Sequence, residues 1–271
     1  MSEDNPKNFY RGRLAPTPSG YLHVGHARTF CTAWKRARKL DGTLILRMDD
    51  LDPSRCREEF ADACKEDIRK MGITWDEGPD VKQSAHGPYL QSQCSDLYYE
   101  ALVRLWRKGF AYACKKTRKE IRGAGLLNPT KDEFLFPQEF RSSQVEDLSQ
   151  TPSKKVNWRF RTNWGDKISF PDNRKGNVQF EVGRDFSDFL IWRKDGFSSY
   201  ELATVVDDQR MKVSEVVRGE DLLVSSARQC LIFDALGWPR PEFYHCELVL
   251  DDKGRKLSKS TRSIARSFAT S

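Results

Sequence analysis

The feature that most constrains this chain is a glycine-containing turn near its beginning, between residues 13 and 26. Leu14 and Ala15 come before the turn and have the apolar character of a strand end. After it, four apolar residues recur at the spacing of one helix face: Phe30, Ala33, Trp34 and Ala37. The pattern predicts a strand, a turn and a helix. This arrangement directs backbone N–H groups and the positive end of the helix dipole at an anion, and phosphate is the usual one.

The turn also has a distinctive composition. It contains two prolines, two glycines and two histidines: Pro16, Pro18, Gly20, His23, Gly25 and His26. The prolines stiffen the turn because their rings fix φ. The histidines are three residues apart at the predicted helix start, so their rings can face the same phosphates. The structural alternative is a pair of capping or core histidines.

Two segments resemble the signatures of a known family. His23-Val-Gly-His26 resembles the HIGH motif of class I aminoacyl-tRNA synthetases, and the prefix from Arg13 to Gly20 is similar to the glutamate- and glutamine-specific branch. Near the end of the chain, Lys256-Leu-Ser-Lys-Ser260 resembles the KMSKS loop, with Leu257 in place of methionine. The resemblance runs from about residue 9 to 262. It implies an α/β fold: a doubly wound parallel, Rossmann-type catalytic core with a small inserted β-rich subdomain.

The order of the segments predicts a domain organisation. Strands that alternate with helices in two halves indicate a parallel sheet. Residues 9–110 are expected to form the first half of the core with the HIGH-like motif. Residues 111–184 are expected to form the inserted acceptor-end-type subdomain, and residues 185–271 the second half with the KMSKS-like loop. Only Thr261 to Ser271 follow that loop, so no anticodon-binding domain is expected.

The resemblance assigns residues to ATP. It gives catalytic roles to His23, His26, Lys256 and Lys259, and it gives ATP binding to Pro16, Gly20, His23, Gly25, His26 and Lys259. Activation requires a carboxylate to attack the α-phosphate of ATP, so the site must neutralise negative charge. Lysines on a mobile loop can close on the pyrophosphate as charge develops. The alternative for these lysines is a basic tail that binds acids nonspecifically. Mg²⁺ is expected to bridge the phosphates.

The resemblance also assigns an amino-acid pocket for L-glutamate. Its members are Arg13, Ala15, Thr17, Asp49, Tyr200 and Arg218. Arginine suits a carboxylate because its guanidinium donates bidentately, and Asp49 would hold the ammonium group. Asp49 follows the apolar run Thr43–Leu46, where ligands of parallel sheets bind. The family has a glutamate at this position, which is one methylene longer. The alternative is a solvated turn that caps the next helix.

A zinc site common among relatives is incomplete here. The segment from Tyr112 to Arg118 keeps Cys114, but Lys116 stands where the second cysteine is expected. The seven cysteines form no C-x₂-C pair, and one thiolate cannot build a tetrahedral site, so no zinc is predicted. Thr117 and Glu120 still have the spacing of a capping box at the start of a short helix.

Charge and aromatic residues favour an RNA partner. The formal net charge is +7, and an acidic partner suits it, although surplus lysine is common on soluble proteins. A basic and aromatic set suits phosphate contact and base stacking: Lys154, Lys155, Trp158, Arg159, Arg161 and Trp164. A solvated strand face is the alternative. The polar, proline-containing stretch 124–155 is expected to be an exposed insertion. Ile73–Trp75 and Glu247–Leu250 are expected to be strands, the latter the last of the chain.

The short tail is most similar to truncated paralogues of glutamyl-tRNA synthetase. That resemblance implies activation of glutamate without tRNA and its transfer to queuosine in the anticodon stem-loop of tRNA(Asp). Two alternatives stay open: a catalytic core that charges tRNA(Glu) with a separate binding domain, and a non-catalytic paralogue that binds glutamyl-adenylate or RNA. No apolar stretch approaches the roughly 18 residues of a membrane helix, and the start of the chain is polar. A cytoplasmic protein without membrane contact is expected.

Overall fold

A computed structural model describes residues 10–82, 85–130, 133–142 and 151–249 of the chain. In chain order the elements are β1 (Arg11–Leu14), α1 (Val24–Lys39), β2 (Thr43–Leu46), α2 (Glu58–Lys70), α3 (Ser95–Arg107), β3 (Ala111–Cys114), α4 (Arg118–Gly123), β4 (Asn157–Phe160), β5 (Lys167–Asp172), β6 (Gly176–Glu181), β7 (Phe189–Trp192), α5 (Tyr200–Arg210), β8 (Glu215–Gly219), α6 (Leu223–Leu236) and β9 (Glu242–Cys246). Among the residues described, no helix is long and apolar enough to cross a membrane.

The chain divides into two compact units, and each is built from separate segments. The first unit contains Met1–Gln93, Arg210–Asp221 and Pro241–Ser271, and the second contains Cys94–Gln209 and Leu222–Arg240. The chain therefore leaves the first unit and returns to it more than once.

The strands of the first unit pair in parallel. β1 pairs with β2, and β8 pairs with β9. The backbone N–H of Ser214, just before β8, donates to the carbonyl of Arg11 on β1 at 2.9 Å. These connections bring the carboxyl ends of β1 and β8 into one region. This parallel pairing is the arrangement that an α/β core requires.

Helix α1 covers these strands with the face that its sequence predicts. Phe30, Ala33 and Ala37 are buried within it, in an apolar core that also contains Leu14 and Val217. The predicted helix is therefore confirmed. Burial of this face fixes the position of the helix start, where the two histidines lie.

A buried carboxylate also ties α1 to β8. Glu215 accepts hydrogen bonds from the Arg36 Nε at 2.7 Å and from the Tyr10 hydroxyl at 2.7 Å. Burial, with the adjacent Glu215 charge, raises the pKa of Tyr10 well above its usual range. Because a buried charge is tolerated when it is paired and hydrogen-bonded, this group holds the helix in register with the strand.

The second unit contains antiparallel strands. β4 lies between β3 and β7, and β5 pairs with β6 as a hairpin. Along β4 the side chains alternate, with Trp158 and Phe160 buried and Arg159 half-buried. The alternation that the sequence predicts for this strand is confirmed. Helix α6 packs on α3 and on β5.

Two expected strands are wrong. Ile73–Trp75 forms no strand. The Ile73 N–H donates to the Ile68 carbonyl and helps to end α2, and the isolated bridge that follows in the described loop joins Glu77 to Ile45. The strand expected at Glu247–Leu250 is replaced by β9, which ends at Cys246, and Leu250 lies outside the described residues. A short apolar run does not by itself specify backbone pairing.

The stretch 124–155 is not simply an exposed insertion. Leu135 and Phe136 are buried, at 5% and 1% exposure. The backbone N–H of Phe136 donates to the hydroxyl of Ser187 at 2.5 Å. Part of this polar, proline-containing segment is therefore packed into the second unit, which its composition did not indicate.

Candidate active site

The start of α1 is capped by its own histidines. His23 stands immediately before the helix, and its Nδ1 accepts the backbone N–H of Gly25 at 3.1 Å. In return, His26 Nδ1 accepts the backbone N–H of His23 at 3.2 Å. The ring centroids are 3.9 Å apart. Because each Nδ1 is an acceptor, a neutral ring carries its proton on Nε2, which then serves as a donor. We call residues 23–26 the histidine cradle.

The cradle is suited to an anion. The first turn of α1 contains no acidic residue, so no carboxylate offsets the positive end of the helix dipole. Glycine at position 25 leaves room for the His23 ring in its observed place, because a Cβ there would lie 2.9 Å from Cε1 of His23. Both histidines are half-buried. The cradle therefore combines imidazole donors with the positive end of a helix dipole, a combination that suits phosphate.

The turn before the cradle lies along the segment that follows β2. The backbone N–H of Arg47 donates to the carbonyl of Leu14, and that of Asp49 donates to the carbonyl of Pro16, both at 2.9 Å. Ala15 and Thr17 flank Pro16; Ala15 is half-buried and Thr17 is exposed. The structure therefore brings these three predicted positions of the glutamate pocket together.

Asp49 is held by an ion pair that sequence reasoning missed. The Arg47 Nε donates to one oxygen of Asp49 at 2.7 Å, and Nη2 donates to the other at 3.4 Å. Arg47 is fully buried and Asp49 is 5% exposed. The pair fixes the orientation of the carboxylate, and the arginine offsets its charge. The available signal was an arginine directly after an apolar strand and two residues before Asp49.

Two buried arginines lie on neighbouring strands. Arg13 on β1 is 5% exposed and Arg218 on β8 is 4% exposed. Nη1 of Arg13 donates to the carbonyl of Val217 at 3.2 Å, directly before Arg218 in the chain. The Arg218 guanidinium lies 5.4 Å from the ring centroid of Phe243. In the parallel register it is opposite His245, a fully buried residue that sequence reasoning also missed.

Positive charge is thus concentrated at the carboxyl ends of β1 and β8. Guanidinium groups that are buried and held in place bind carboxylates strongly, because less solvent competes with the ligand. Two such groups suit a ligand that carries two carboxylates. The signal for both arginines was the family motif, since no periodicity marks them.

Three other residues predicted for the site are not among the described residues of the first unit. Tyr200 is the first residue of α5, in the second unit, and is half-buried. Lys256 and Lys259 lie outside the described residues. The roles assigned to these three residues stay predictions.

The surroundings of Cys114 do not fit a zinc ion. Cys114 is 3% exposed and lies in an apolar cluster with Tyr112, Ile121 and Phe136. The Nζ of Lys116 lies 4.6 Å from the ring centroid of Phe140. Within the described part of the chain, no group of three or more His, Cys, Asp or Glu side chains could hold a metal. The donors around this thiol are therefore not those of a zinc site.

A second network holds the segment beside this cluster. Buried Asp188 accepts hydrogen bonds from the Tyr112 hydroxyl, from Arg141 Nε and Nη2, and from the backbone and hydroxyl of Thr162, at 2.7 to 2.9 Å. Burial and the Asp188 charge raise the pKa of Tyr112 above its usual range. We call Tyr112, Arg141, Thr162 and Asp188 the Asp188 hub. It joins four separate parts of the second unit.

The predicted RNA-facing set is only partly exposed. Trp158 is wrong as a stacking residue, because it is 3% exposed and its indole N–H donates to the carbonyl of Ser153. Arg159 lies over the ring of Phe136 at 4.3 Å. Trp164 is 38% exposed. The remaining lysines, Lys154 and Lys155, are exposed. The strand alternation explains this result, because every second residue of β4 faces the core.

Comparison with known proteins gives the class. Residues 10–269 match the family model described as tRNA synthetases class I (E and Q), catalytic domain. The chain therefore belongs to the class I aminoacyl-tRNA synthetases, in the glutamate and glutamine branch, and it is a ligase of that type. The family confirms the predicted α/β, Rossmann-type catalytic core.

Individual relatives narrow the similarity further. The chain is 39% identical to the glutamyl-Q tRNA(Asp) synthetase of Nitratidesulfovibrio vulgaris over 256 residues, which is 94% of this chain and 79% of that one. It is 41% identical to the protein of the same name from Symbiobacterium thermophilum over 258 residues, 92% of this chain and 77% of that one. These similarities confirm the resemblance stated from the motifs.

A solved structure agrees with them. The crystal structure of a glutamate tRNA ligase from Elizabethkingia meningosepticum, in complex with its amino acid, is similar with a TM-score of 0.78 and 28% sequence identity. The match covers 93% of this chain but 52% of the ligase. The chain thus spans about half the length of that ligase.

Proposed function

We propose that this chain uses ATP to activate L-glutamate as glutamyl-adenylate, without needing tRNA, and transfers the glutamate to queuosine in the anticodon loop of tRNA(Asp). The observation that carries the first step is the presence, in the first unit, of the histidine cradle and of the buried pair Arg13 and Arg218. The names of two of its relatives, the glutamyl-Q tRNA(Asp) synthetases, support the second step.

The cradle has the donors that ATP requires. A carboxylate and a triphosphate repel each other, so activation depends on fixed positive charge and an in-line geometry. The Nε2–H groups of His23 and His26 and the helix start would bind the phosphates, with Pro16, Gly20 and Gly25 shaping the turn. Lys256 and Lys259 would bind the pyrophosphate as its charge develops, which favours the transition state over bound ATP.

The glutamate pocket follows from the buried charges. Arg13 and Arg218 would bind the carboxylates, and Asp49 would accept from the ammonium. Ala15 and Thr17 would line the backbone side, and Tyr200 would add a hydroxyl. Since Arg47 already engages both oxygens of Asp49, that carboxylate is fixed before the substrate arrives. Pre-orientation of this kind offsets the shorter reach of aspartate.

Mg²⁺ belongs to this proposal as a partner of the phosphates. It binds through phosphate oxygens and water more often than in an all-protein site, and the first turn of α1 has no carboxylate to offer it. When bound, it would neutralise phosphate charge. Zinc has no part in the proposal, since the residues around Cys114 do not fit it.

The proposal extends to the parts of the chain and to its location. The predicted division at residues 9–110, 111–184 and 185–271 stays part of it. So does the tRNA(Asp) anticodon stem-loop as the RNA partner. A cytoplasmic location is proposed because ATP, glutamate and tRNA are together there.

A second candidate is a glutamyl-tRNA synthetase core that charges tRNA(Glu) with a separate binding domain. The similarity to a solved glutamate tRNA ligase favours it, since this chain covers 52% of that protein. A non-catalytic paralogue that binds glutamyl-adenylate or RNA is less well supported, because the cradle and the arginine pair are both in place.

A charging assay distinguishes these functions. Radiolabelled glutamate is offered with ATP to tRNA(Glu), to tRNA(Asp) with queuosine and to tRNA(Asp) without it. A fourth acceptor is queuosine-bearing tRNA(Asp) that lacks its 3′-terminal adenosine. We expect labelled glutamate on the two queuosine-bearing RNAs and on neither of the other two. Label on tRNA(Glu) would establish the second candidate. Label on tRNA(Asp) that requires the 3′-terminal adenosine would contradict transfer to queuosine, and no label on any RNA would favour the non-catalytic candidate.

A further inference from the structure

A pocket in the second unit is lined by none of the residues proposed for catalysis. It has a volume of about 160 Å³. Its apolar walls include Phe110 and Phe160, whose rings are stacked with centroids 5.8 Å apart. Phe160 is buried, whereas Phe110 is 38% exposed. The pocket therefore opens beside an aromatic ring that is accessible from solvent.

The volume limits what can enter. A cavity of about 150 Å³ holds one benzene ring. A space of this size with an aromatic wall therefore suits one flat ring and is too small for a whole nucleotide or a peptide. Stacking on an aromatic side chain is the usual way in which proteins hold an unpaired base.

The polar rim gives the pocket its chemical preference. Arg161 and Asp166 both line it. The guanidinium of Arg161 lies 4.9 Å from the ring centroid of Tyr112. Across the described ranges, neither side chain makes a hydrogen bond or an ion pair within the protein. The rim thus offers cationic donors together with an exposed carboxylate acceptor.

A nucleobase satisfies both groups. Its ring nitrogens and carbonyls accept from arginine, and its amino or imino N–H groups donate to a carboxylate. A phosphate or a second carboxylate would be repelled by Asp166 and by Asp234, which also lines the pocket and pairs with Arg240. A neutral ring with both donors and acceptors fits this charge distribution better than an anion does.

Residues next to the lining in sequence suit the strand that would carry such a base. Lys167 follows Asp166 and is exposed. Arg184 has a side chain that is 65% exposed, two residues beyond Val182 in the lining. Trp164 is 38% exposed. Exposed cations contact phosphates and exposed aromatic residues stack on bases.

We propose that this pocket binds a single unpaired nucleobase of an RNA strand. The inference rests on the proposed transfer of glutamate to RNA and adds to it a base-binding position in the second unit. Phe110 would stack on the base, and Arg161 and Asp166 would hydrogen-bond its edge. The backbone phosphates would remain outside, near the exposed cations.

The test is the affinity of the full chain for tRNA(Asp), measured by filter binding over a series of salt concentrations. We expect Phe110→Ala and Arg161→Gln each to weaken binding by about tenfold, the effect of losing one stacked or hydrogen-bonded base. Because Arg161 would contact a base, the salt dependence stays unchanged in Arg161→Gln. In Lys167→Gln the slope falls by about one. The matched control is Arg122→Gln, an exposed arginine of α4, which keeps wild-type affinity.

An abasic scan of the RNA identifies the base. We expect one unpaired position at which an abasic substitution weakens wild-type binding but has no further effect in Arg161→Gln. If Phe110→Ala does not fold, Asp166→Asn replaces it as the second variant, because position 166 is exposed. The same abasic substitution should have no further effect on RNA binding by Asp166→Asn. Affinities of all pocket variants within twofold of wild type overturn the proposal. A lowered salt slope in Arg161→Gln also overturns it, because that result indicates a phosphate contact. So does an abasic scan in which the effects of Arg161→Gln and of the missing base add up at every position.

The two proposals fail in different ways. If the wild type binds tRNA(Asp) through Arg161 but transfers no glutamate to it, the proposed acceptor is wrong and the pocket stands. If transfer occurs and the pocket variants match the wild type in affinity and transfer, the pocket is wrong and the function stands. A wild type without measurable RNA affinity contradicts both.

Discussion

The histidine cradle and the Asp188 hub differ in how far apart in the sequence their hydrogen-bonded residues lie. In the cradle, the two hydrogen bonds join residues two and three positions apart. In the hub, the partners of Asp188 are 26, 47 and 76 residues away. The two cradle histidines are half-buried, whereas Asp188 is buried. We therefore expect changes in the cradle to reduce activity and changes in the hub to reduce stability.

The largest effect on stability is expected at the centre of the hub. Asp188→Ala leaves Arg141 Nε and the Tyr112 hydroxyl without the acceptor that they share. Removal of one partner of a buried ion pair costs about 3–5 kcal/mol. The free energy of unfolding, measured with urea, should fall by that amount.

The matched control for this change is Asp195→Ala. Asp195 also pairs with an arginine, Arg193, but its side chain is 44% exposed. An exposed pair contributes about 0–1 kcal/mol. Equal losses in the two variants would contradict the role given to the hub.

The cradle should show the reverse pattern. His23→Ala removes one imidazole donor and one helix cap. We expect the rate of ATP–pyrophosphate exchange to fall by about 100-fold, as for loss of one preorganised donor. The free energy of unfolding should fall by about 1 kcal/mol, the usual contribution of an N-cap. A loss of stability without a loss of exchange would show that His23 is only a cap.

Gly25→Ala separates activity from stability more finely. Alanine is the better helix former by about 1 kcal/mol, so the variant should be as stable as the wild type or slightly more so. The added Cβ would displace the ring of His23, which lies 2.9 Å away. We expect kcat/KM for ATP in pyrophosphate exchange to fall by about tenfold. Unchanged kinetics would mean that the ring position is not important.

The smallest effect concerns a local contact near the hub. Hydrogen bonds from the Thr117 backbone and hydroxyl and from Lys116 lower the pKa of Glu120 to about 2. A lowered pKa means that the ionised form stabilises the fold above the unfolded pKa, and that this contribution is lost as the pH falls. The difference in melting temperature between wild type and Glu120→Gln should therefore shrink between about pH 4.5 and pH 2.

The exposed Glu139 provides the control for the substitution itself. No hydrogen bond resembling the Thr117 cap holds its carboxylate in the described part of the chain. The melting temperature of Glu139→Gln at neutral pH therefore shows the effect of a glutamate-to-glutamine change without the loss of a cap. A pH-independent difference in Glu120→Gln would contradict the capping role.

The same difference in sequence separation explains which features could be predicted from the sequence. Local patterns identified α1, the capping box at Thr117 and Glu120, and the alternation along β4, because all of their determinants lie within a few residues. The turn at residues 13–26 also identified the family. Partners in the hub are dispersed along the chain, and no periodicity marks Arg141 or Asp188 as a pair.

Short apolar runs were the least informative pattern. Ile73 is buried at 1% exposure without belonging to a strand. Its apolar side chain therefore indicated burial and not strand structure. The Arg47 and Asp49 ion pair was close in sequence but unrecognised, because nothing in the sequence shows that both side chains are buried. Burial of charged groups depends on the whole core, which local spacing does not describe.

The central claim is that the first unit holds a site for glutamate activation, and its most direct measurement is glutamate-dependent exchange of labelled pyrophosphate into ATP without RNA. The variant to compare is Arg218→Ala, with Arg28→Ala as the control, since Arg28 is an exposed arginine of α1. The account predicts exchange in the wild type and in Arg28→Ala, and a loss of at least about 1,000-fold in Arg218→Ala, the effect of removing a buried charged partner. Exchange that is absent from the wild type, or that survives in Arg218→Ala, would contradict it.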